Sequence, residues 1–331
     1  MPQSAKCVMI LGPTASGKTS FAVRLARVFR AEIVGADSRQ VYRGLDIGSG
    51  KDLEEYRAED GSSVPVHLID VADPAMAGFS LADYLLLANR AIEDISRRGV
   101  LPVVCGGTAL YLHGLLSAYR LRGGAPSADE REKLRSLSNE ELRNLLRSLD
   151  PDDPVPSEEP DNRTRLIRRI EILRAPDGMT EAEKDCLPRM ERSWLILGIL
   201  RSRDEIRASI EKRLDDRLAH GMLDEARRLH EQGVSWKTLE FFGLEYRYMA
   251  LHLQGLLTFE AMREELLCRI RQFAKRQDSW FRKLERDGFP VYWIRPGEEA
   301  KAFGLVSDHL AGRALPPPEI LLSRISYGRK K

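Results

Sequence analysis

The stretch Gly12-Pro13-Thr14-Ala15-Ser16-Gly17-Lys18-Thr19 carries the pattern G-x-x-x-x-G-K-[ST]. In front of it lies a short apolar run, Lys6 to Leu11, and behind it Phe21, Leu25 and Val28 recur near helical spacing. Strand, glycine loop and helix in that order are the context in which this pattern cradles phosphate. The backbone N–H groups of the loop and the start of the helix form an anion nest, to which Lys18 adds a point charge and Thr19 a hydroxyl suited to Mg²⁺. The candidate diphosphate-binding residues are therefore Gly12, Thr14, Ala15, Ser16, Gly17, Lys18 and Thr19. The same electrostatics suit any organic or inorganic diphosphate, so the loop alone leaves the ligand open.

Outward from the loop, the apolar segments Glu32 to Ala36, Val66 to Ile69 and Leu101 to Cys105 alternate with helix-like text such as Leu81 to Arg97. That alternation predicts an α/β fold with a parallel sheet. Asp37 follows the second strand, where ligands of open α/β sheets sit. Taken alone it suits a metal-linked acid, a helix cap or a general base. From about Tyr119 the text becomes charged and helical, then acidic and proline-broken over 150–160, then helical again from Asn162 to Arg174 with five arginines. Residues 119–193 read as a helical insertion between two parts of a core, 1–118 and 194–315, with 316–331 as a basic tail. Within the second part, Trp194 to Leu200 and Val291 to Ile294 are strand-like, and Arg203 to Leu229 and Phe259 to Arg286 are long helical patterns.

Composition narrows the class. The 331 residues are 43% apolar, enough for a sizeable core, and a formal charge of +2 excludes a simple polycationic coat for nucleic acid. Any polyanion site must be local. Four widely spaced cysteines without a C-x-x-C pair suggest neither a disulfide framework nor a zinc site, and no run approaches the roughly 18 apolar residues of a spanning helix. The expectation is a cytoplasmic protein without membrane contact. Cys105 and His67 read as structural. Asp70, at the end of an apolar run, has the place of a metal-linked acid in an ATPase.

Four motifs taken together, G-P-T-A-S-G-K-T, A-D-S-R-Q-V-Y-R-G-L-D-I-G-S, H-L-I-D from His67 to Asp70 and G-G-T-A-L-Y from Gly106 to Tyr111, resemble those of the tRNA dimethylallyltransferases, also called isopentenyl transferases. Arg213 within Ile210-Glu211-Lys212-Arg213 and the basic helix Arg271 to Phe281 follow in the same order, so the resemblance spans roughly residues 6 to 295. It implies a P-loop kinase-like core that holds dimethylallyl diphosphate in place of ATP and a helical insertion that grips the anticodon arm of tRNA. Under that resemblance Asp37 is the base for the N6 amine of an adenosine next to the anticodon. Lys18, Mg²⁺ held through Thr19, and Arg213 stabilise the departing diphosphate.

The tRNA-facing residues that the resemblance implies are Asp37, Ser38, Arg39, Gln40, Thr108, Thr164, Arg165, Leu166, Ile167, Arg168, Phe241, Gly243 and Arg247. Gln40 suits an adenine edge, and Arg165 and Arg168 suit phosphates. The chain departs from the family pattern at Val66, at Glu159-Pro160-Asp161-Asn162, at Ser209 and at Phe241 to Arg247, mostly on the tRNA side. The competing readings are prenyl transfer to a free adenine nucleotide and an ATP-dependent kinase on the same loop. A monomer binding one tRNA is the default.

Overall fold

Every residue from Cys7 to Leu11 is fully buried, because β1 (Ala5–Leu11) lies inside a sheet with a neighbour along each edge. On one side it pairs with β4 (Pro102–Gly106), and on the other with β5 (Arg192–Ile199), placing Val8 level with Val103 and Leu195. With β2 (Glu32–Gly35), β3 (Val66–His67) and β6 (Val291–Ile294) the order is β3-β2-β4-β1-β5-β6, all parallel. The parallel α/β architecture expected from the alternating text is thus present. Strands buried on both faces have no polar face to present, which is why β1 reads as a continuous apolar run instead of an alternating one. This computed structural model describes residues 4–57, 61–76, 78–119, 121, 128–151, 162–175 and 179–325.

Helix α1 (Lys18–Phe29) leaves the glycine loop, α2 (Leu81–Arg97) follows a Ser80–Asp83 capping box, and α3 (Ala109–Leu116) starts after Thr108. Phe21 and Leu25 of α1 are buried as the spacing predicts, but Val28 is 59% exposed and stands outside the apolar stripe. Two further expectations change. The Val66 to Ile69 run is paired only over Val66–His67, since Leu68 and Asp70 take left-handed backbone with φ of 64° and 59° and leave the pleat. The charged segment up to Asp150 is two helices, α4 (Ala128–Ser136) and α5 (Asn139–Leu149), separated where Ser138 caps the second through its own capping box.

The chain divides into two units, residues 118–188 and the remainder. The smaller one contains α4, α5, α6 (Arg163–Arg174, capped by Asn162) and α7 (Glu181–Asp185). Its core is Leu134, Leu142, Leu146, Leu166, Ile167 and Ile170. The expected acidic loop over 152–160, Gly123, Gly124, Pro126 and tail residues 326–331 lie outside the described residues.

In the larger unit, the expected long helix over Arg203 to Leu229 is broken at His220 and Gly221 into α8 (Arg203–Ala219) and α9 (Met222–Glu231). Gly221 has φ of 91°, a conformation that glycine adopts without the Cβ clash other residues suffer. α10 (Trp236–Phe241), α11 (Leu244–Leu253), α12 (Phe259–Arg286) and α13 (Glu299–Leu310) complete it. Helices α8 to α12 share one apolar cluster, and Val41, Tyr42 and Leu45 from the segment after β2 are buried in it. That packing fixes the segment carrying Asp37. Among the described residues no helix is long and apolar enough to cross a membrane.

At the far end of β2 the Glu32 carboxylate receives Arg98 through two bonds of 2.6 and 2.8 Å, and His67 at 2.8 Å. His67 is thus a structural partner. The Arg98 guanidinium, then the His67 imidazole, hold the Glu32 carboxyl down at about 2. A carboxylate depressed in the folded state stabilises fully above its unfolded value, near 4.5, and loses that contribution as pH falls toward 2. Glu32→Gln is expected to lower stability by about 1–3 kcal/mol at neutral pH and by almost nothing near pH 2. Urea unfolding at both pH values checks this; an equal loss at both would mean that packing, not charge, matters at Glu32.

Candidate active site

Three loops leave the carboxyl ends of β1, β2 and β4 and meet. The order β2-β4-β1 makes this a switch point, because the chain passes from β1 across to β2 and only later returns to insert β4 between them. The closeness has a steric signature at Gly106. A Cβ there would collide with the Ala36 carbonyl, so the two strand ends approach as only glycine permits.

The first loop is Gly12 to Thr19. Ala15 and Gly17 have positive φ, 61° and 85°, which turns successive backbone groups inward. Gln277 from α12 closes the loop against its neighbour. Its Oε1 accepts from Thr14 N at 2.8 Å while its Nε2 donates to Gly107 O at 2.9 Å. Arg201 donates to Ser16 O at 2.9 Å, and the Arg213 guanidinium donates to the Thr14 hydroxyl. Lys18 Nζ reaches Pro13 O at 3.4 Å and lies close to where a Cβ on Gly107 would stand. The Ser16 hydroxyl is buried with no partner, a polar group that an oxygen-rich ligand would satisfy.

Cations concentrate here. Burial pushes the Lys18 ammonium below its usual value and the neighbouring Arg213 adds to the effect. Arg213 is pushed down to about 10, first by burial and then by Arg217 one helical turn away. It still keeps its charge at neutral pH. Glu245 stands near both arginines, and burial pushes its carboxyl up.

The second loop holds Asp37 part-exposed, with Oδ1 accepting from Arg39 N at 2.9 Å. Thr108 from the third loop pins it, since Thr108 Oγ1 accepts from Ser38 N at 2.9 Å and Thr108 N donates to Ala36 O at 3.1 Å. Asp37 is electrostatically within reach of both Lys18 and Arg213. Further along, Gln40 Nε2 donates to Gly50 O at 2.7 Å, so the amide expected to face an adenine is held inside the segment. Asp70 is likewise committed: the buried Lys51 Nζ binds its carboxylate together with Tyr42 O at 2.8 Å. An ion pair occupies the group that the ATPase comparison offered as a metal-linked acid. The loop from Asp46 to Gly48 wraps the buried Glu225 carboxylate, donating three N–H bonds of 2.6 to 3.0 Å, and Tyr246 adds a fourth donor at 2.7 Å.

The remaining tRNA-facing expectations divide. Arg39 lies over Gly243 at the start of α11, Phe241 is 59% exposed and Arg247 is exposed. In the helical unit Thr164 and Arg165 are exposed, and Arg168 pairs with Glu171 at 3.3 Å. Leu166 and Ile167 are corrected. They are 5% and 6% exposed in the core of that unit, because α6 turns its apolar stripe inward there. Cys105 is buried on its apolar strand, and burial pushes its thiol up to about 12.

Several residues that build the site had no assigned role from sequence: Gln277, Arg201, Arg217, Glu225, Glu245 and Lys51. One of them was traceable. Gln277 falls in the stripe Ile270, Ala274, Phe281, Leu284 of α12, all buried, and a lone buried amide in such a stripe must find partners. Among the described residues no cluster of three or more His, Cys, Asp or Glu gathers that could hold a metal by itself.

A family model described as IPP transferase matches residues 40–284, and a second, isopentenyl transferase, matches residues 5–59. The chain is 46% identical to tRNA dimethylallyltransferase 1 of Syntrophus aciditrophicus over 295 residues, 89% of this chain and 95% of that one. It is also 46% identical to tRNA dimethylallyltransferase 2 of Trichlorobacter lovleyi over 297 residues, 89% and 94% of the two chains. Among solved structures, the full-length tRNA isopentenylpyrophosphate transferase of Bacillus halodurans superposes with a TM-score of 0.66 at 31% identity, covering 93% of this chain and 97% of that one. A eukaryotic dimethylallyltransferase acting on tRNA shares the fold at a TM-score of 0.74 and 23% identity, covering 94% and 81%.

Proposed function

Because the chain belongs to the tRNA dimethylallyltransferase family, an enzyme family that prenylates tRNA, we propose that it transfers dimethylallyl from dimethylallyl diphosphate to N6 of an adenosine next to the anticodon, releasing diphosphate. The observation that carries the proposal is the convergence of one part-exposed carboxylate, Asp37, with the cations Lys18 and Arg213 around the glycine loop. That arrangement suits a substitution in which a nucleophile loses a proton while a polyanion departs.

The N6 amine is weakly nucleophilic because its lone pair is delocalised into the ring. As N6 bonds to the allylic carbon, the carbon–oxygen bond to the diphosphate breaks and its electron pair leaves with oxygen. Asp37 takes the N6 proton. Negative charge then grows on the diphosphate, where Lys18, Arg213 and the loop N–H groups meet it without having to reorganise. Thr14, held by Arg213 and Gln277, keeps the loop in position for that contact. A flipped base entering such a site would have to be unstacked from the anticodon loop, which single-stranded loops permit at low cost.

The residues also fit a magnesium ion bound mainly by the diphosphate. Mg²⁺ usually takes one or two protein oxygens and leaves its other positions to phosphate and water, so a lone Thr19 hydroxyl in the first turn of α1 suffices and an acidic cluster is not required. The orphaned Ser16 hydroxyl of the same loop supports an oxygen-rich occupant. When bound, the ion would neutralise charge on the leaving group. Exposed Thr164 and Arg165 on α6 favour tRNA over a free nucleotide as acceptor. A cytoplasmic location, as the widely spaced cysteines without a C-x-x-C pair suggest, and a monomer binding one tRNA are part of the same reading.

The test is transfer of labelled dimethylallyl diphosphate to unmodified tRNA with Mg²⁺, beside AMP as acceptor and beside ATP hydrolysis. Label on an anticodon-loop adenosine is expected. Label on AMP alone would move the chain to nucleotide prenylation, and ATP turnover without label would make it a kinase or ATPase.

A further inference from the structure

Arg217 stands four residues after Arg213 in α8, so the two guanidinium groups share a face of the helix. Like charges at that spacing repel, and burial makes the repulsion larger. A cation in the last turn of a helix needs no ligand when water surrounds it, but the Arg217 side chain is only 12% exposed. It lies directly on the backbone of Gly50, where a Cβ would collide with the guanidinium, and it shares a cleft with Arg213, Glu245 and Met222. Its anionic neighbours satisfy it poorly. Asp52 approaches only to 3.4 Å, beyond the roughly 2.7–2.9 Å of a charge-assisted bond, and is 42% exposed. Glu245 lines the same cleft, its carboxyl pushed up by burial and held back by the two arginines. Lys18, Arg213 and Arg217 therefore form a cluster of positive charge beside a loop built for phosphate, with Asp37, Asp52 and Glu245 as carboxylates around it.

We propose that Arg217 is a second guanidinium for the donor's diphosphate, gripping it beside Arg213 from the same face of α8, and that Asp52 competes with the diphosphate for it. A planar fork of donors suits the oxygens of a diphosphate better than a single ammonium does. This rests on the prenyl-transfer reading for the identity of the anion, but the anion can be tested without the acceptor.

Inorganic diphosphate with Mg²⁺ is titrated calorimetrically into the full chain and into Arg217→Met, Arg217→Lys and Asp52→Asn variants, and each is assayed for tRNA binding. Arg217→Met is expected to weaken diphosphate binding about 10-fold or more and Arg217→Lys about 3-fold, as loss of a charged hydrogen bond predicts, with tRNA affinity within about two-fold throughout. Asp52→Asn is expected to bind diphosphate as tightly as the wild type or more tightly, because a competing anion is gone. A purely structural Arg217–Asp52 pair predicts the opposite, with Asp52→Asn behaving like Arg217→Met, and that result overturns the proposal. So does an unchanged diphosphate affinity in Arg217→Met. If that variant does not fold, the lysine and Asp52→Asn variants decide. A wild-type chain that transfers prenyl to tRNA while Arg217→Met binds diphosphate normally would sink the role of Arg217 alone; a wild type that binds no diphosphate would sink both readings.

Discussion

Replacing Asp37 by alanine is expected to slow prenyl transfer by about two to four orders of magnitude, the range that a lost general base removes. The tRNA affinity of the variant should stay within about three-fold. The expectation rests on where the carboxylate is held. Asp37 sits at the end of β2, fixed by its own Asx bond to Arg39 N and by the Thr108 hydroxyl on Ser38 N, and it faces the cations of the glycine loop. Neither bond to the backbone is strong enough for its removal to unfold the protein. Asp37→Asn is the sharper variant, since it keeps the shape and the Asx acceptor but cannot take a proton at neutral pH. Single-turnover transfer of labelled donor to tRNA, with tRNA binding measured separately, distinguishes the outcomes. Normal turnover with lost tRNA binding would make Asp37 a contact to the acceptor, not a base.

Arg213→Ala is expected to lower kcat by about 10² to 10³, with a smaller change in the dissociation constant of the donor. The reasoning is differential. A guanidinium beside the diphosphate already attracts it in the ground state, but its bond strengthens as the breaking carbon–oxygen bond delivers further charge, and only that increment accelerates the step. Burial amplifies the increment, and Arg213 is buried enough that its proton affinity falls to about 10 while its charge survives at neutral pH. It also fixes Thr14 through the hydroxyl. Arg213→Lys, which keeps the charge but not the fork, should recover part of the rate. An effect confined to the Michaelis constant of the donor would mean uniform binding and contradict a role in the bond-breaking step.

Much of the architecture was legible in the text because it is written in local periodicity. The apolar run before Gly12 is β1, the pattern from Phe259 to Arg286 is α12 to the residue, and Val291 to Ile294 is β6. The parallel α/β class followed from the alternation of such segments. Local periodicity is blind to breaks made by one backbone torsion: Gly221 splits a continuous helical pattern, and left-handed Leu68 and Asp70 end β3 early. It also cannot rank two residues of one helix. Thr164, Arg165, Leu166 and Ile167 are adjacent in sequence and were grouped as one interface, yet successive residues of a helix turn by about 100°, and the latter two face the core.

The chemistry divides in the same way. By itself the sequence determined the glycine loop, its lysine and threonine, and the carboxylate after the second strand, since each follows from position relative to a strand end. Only the tertiary structure decided which groups surround them. Gln277 meets Thr14 across 263 residues and Arg213 meets it across 199, while Glu225 closes on Gly48 across 177. Polar groups of this kind have no period and no fixed spacing. Their partners are set by where distant helices land after the apolar clusters have closed, and a buried amide or guanidinium then takes whichever backbone group that packing brings within reach.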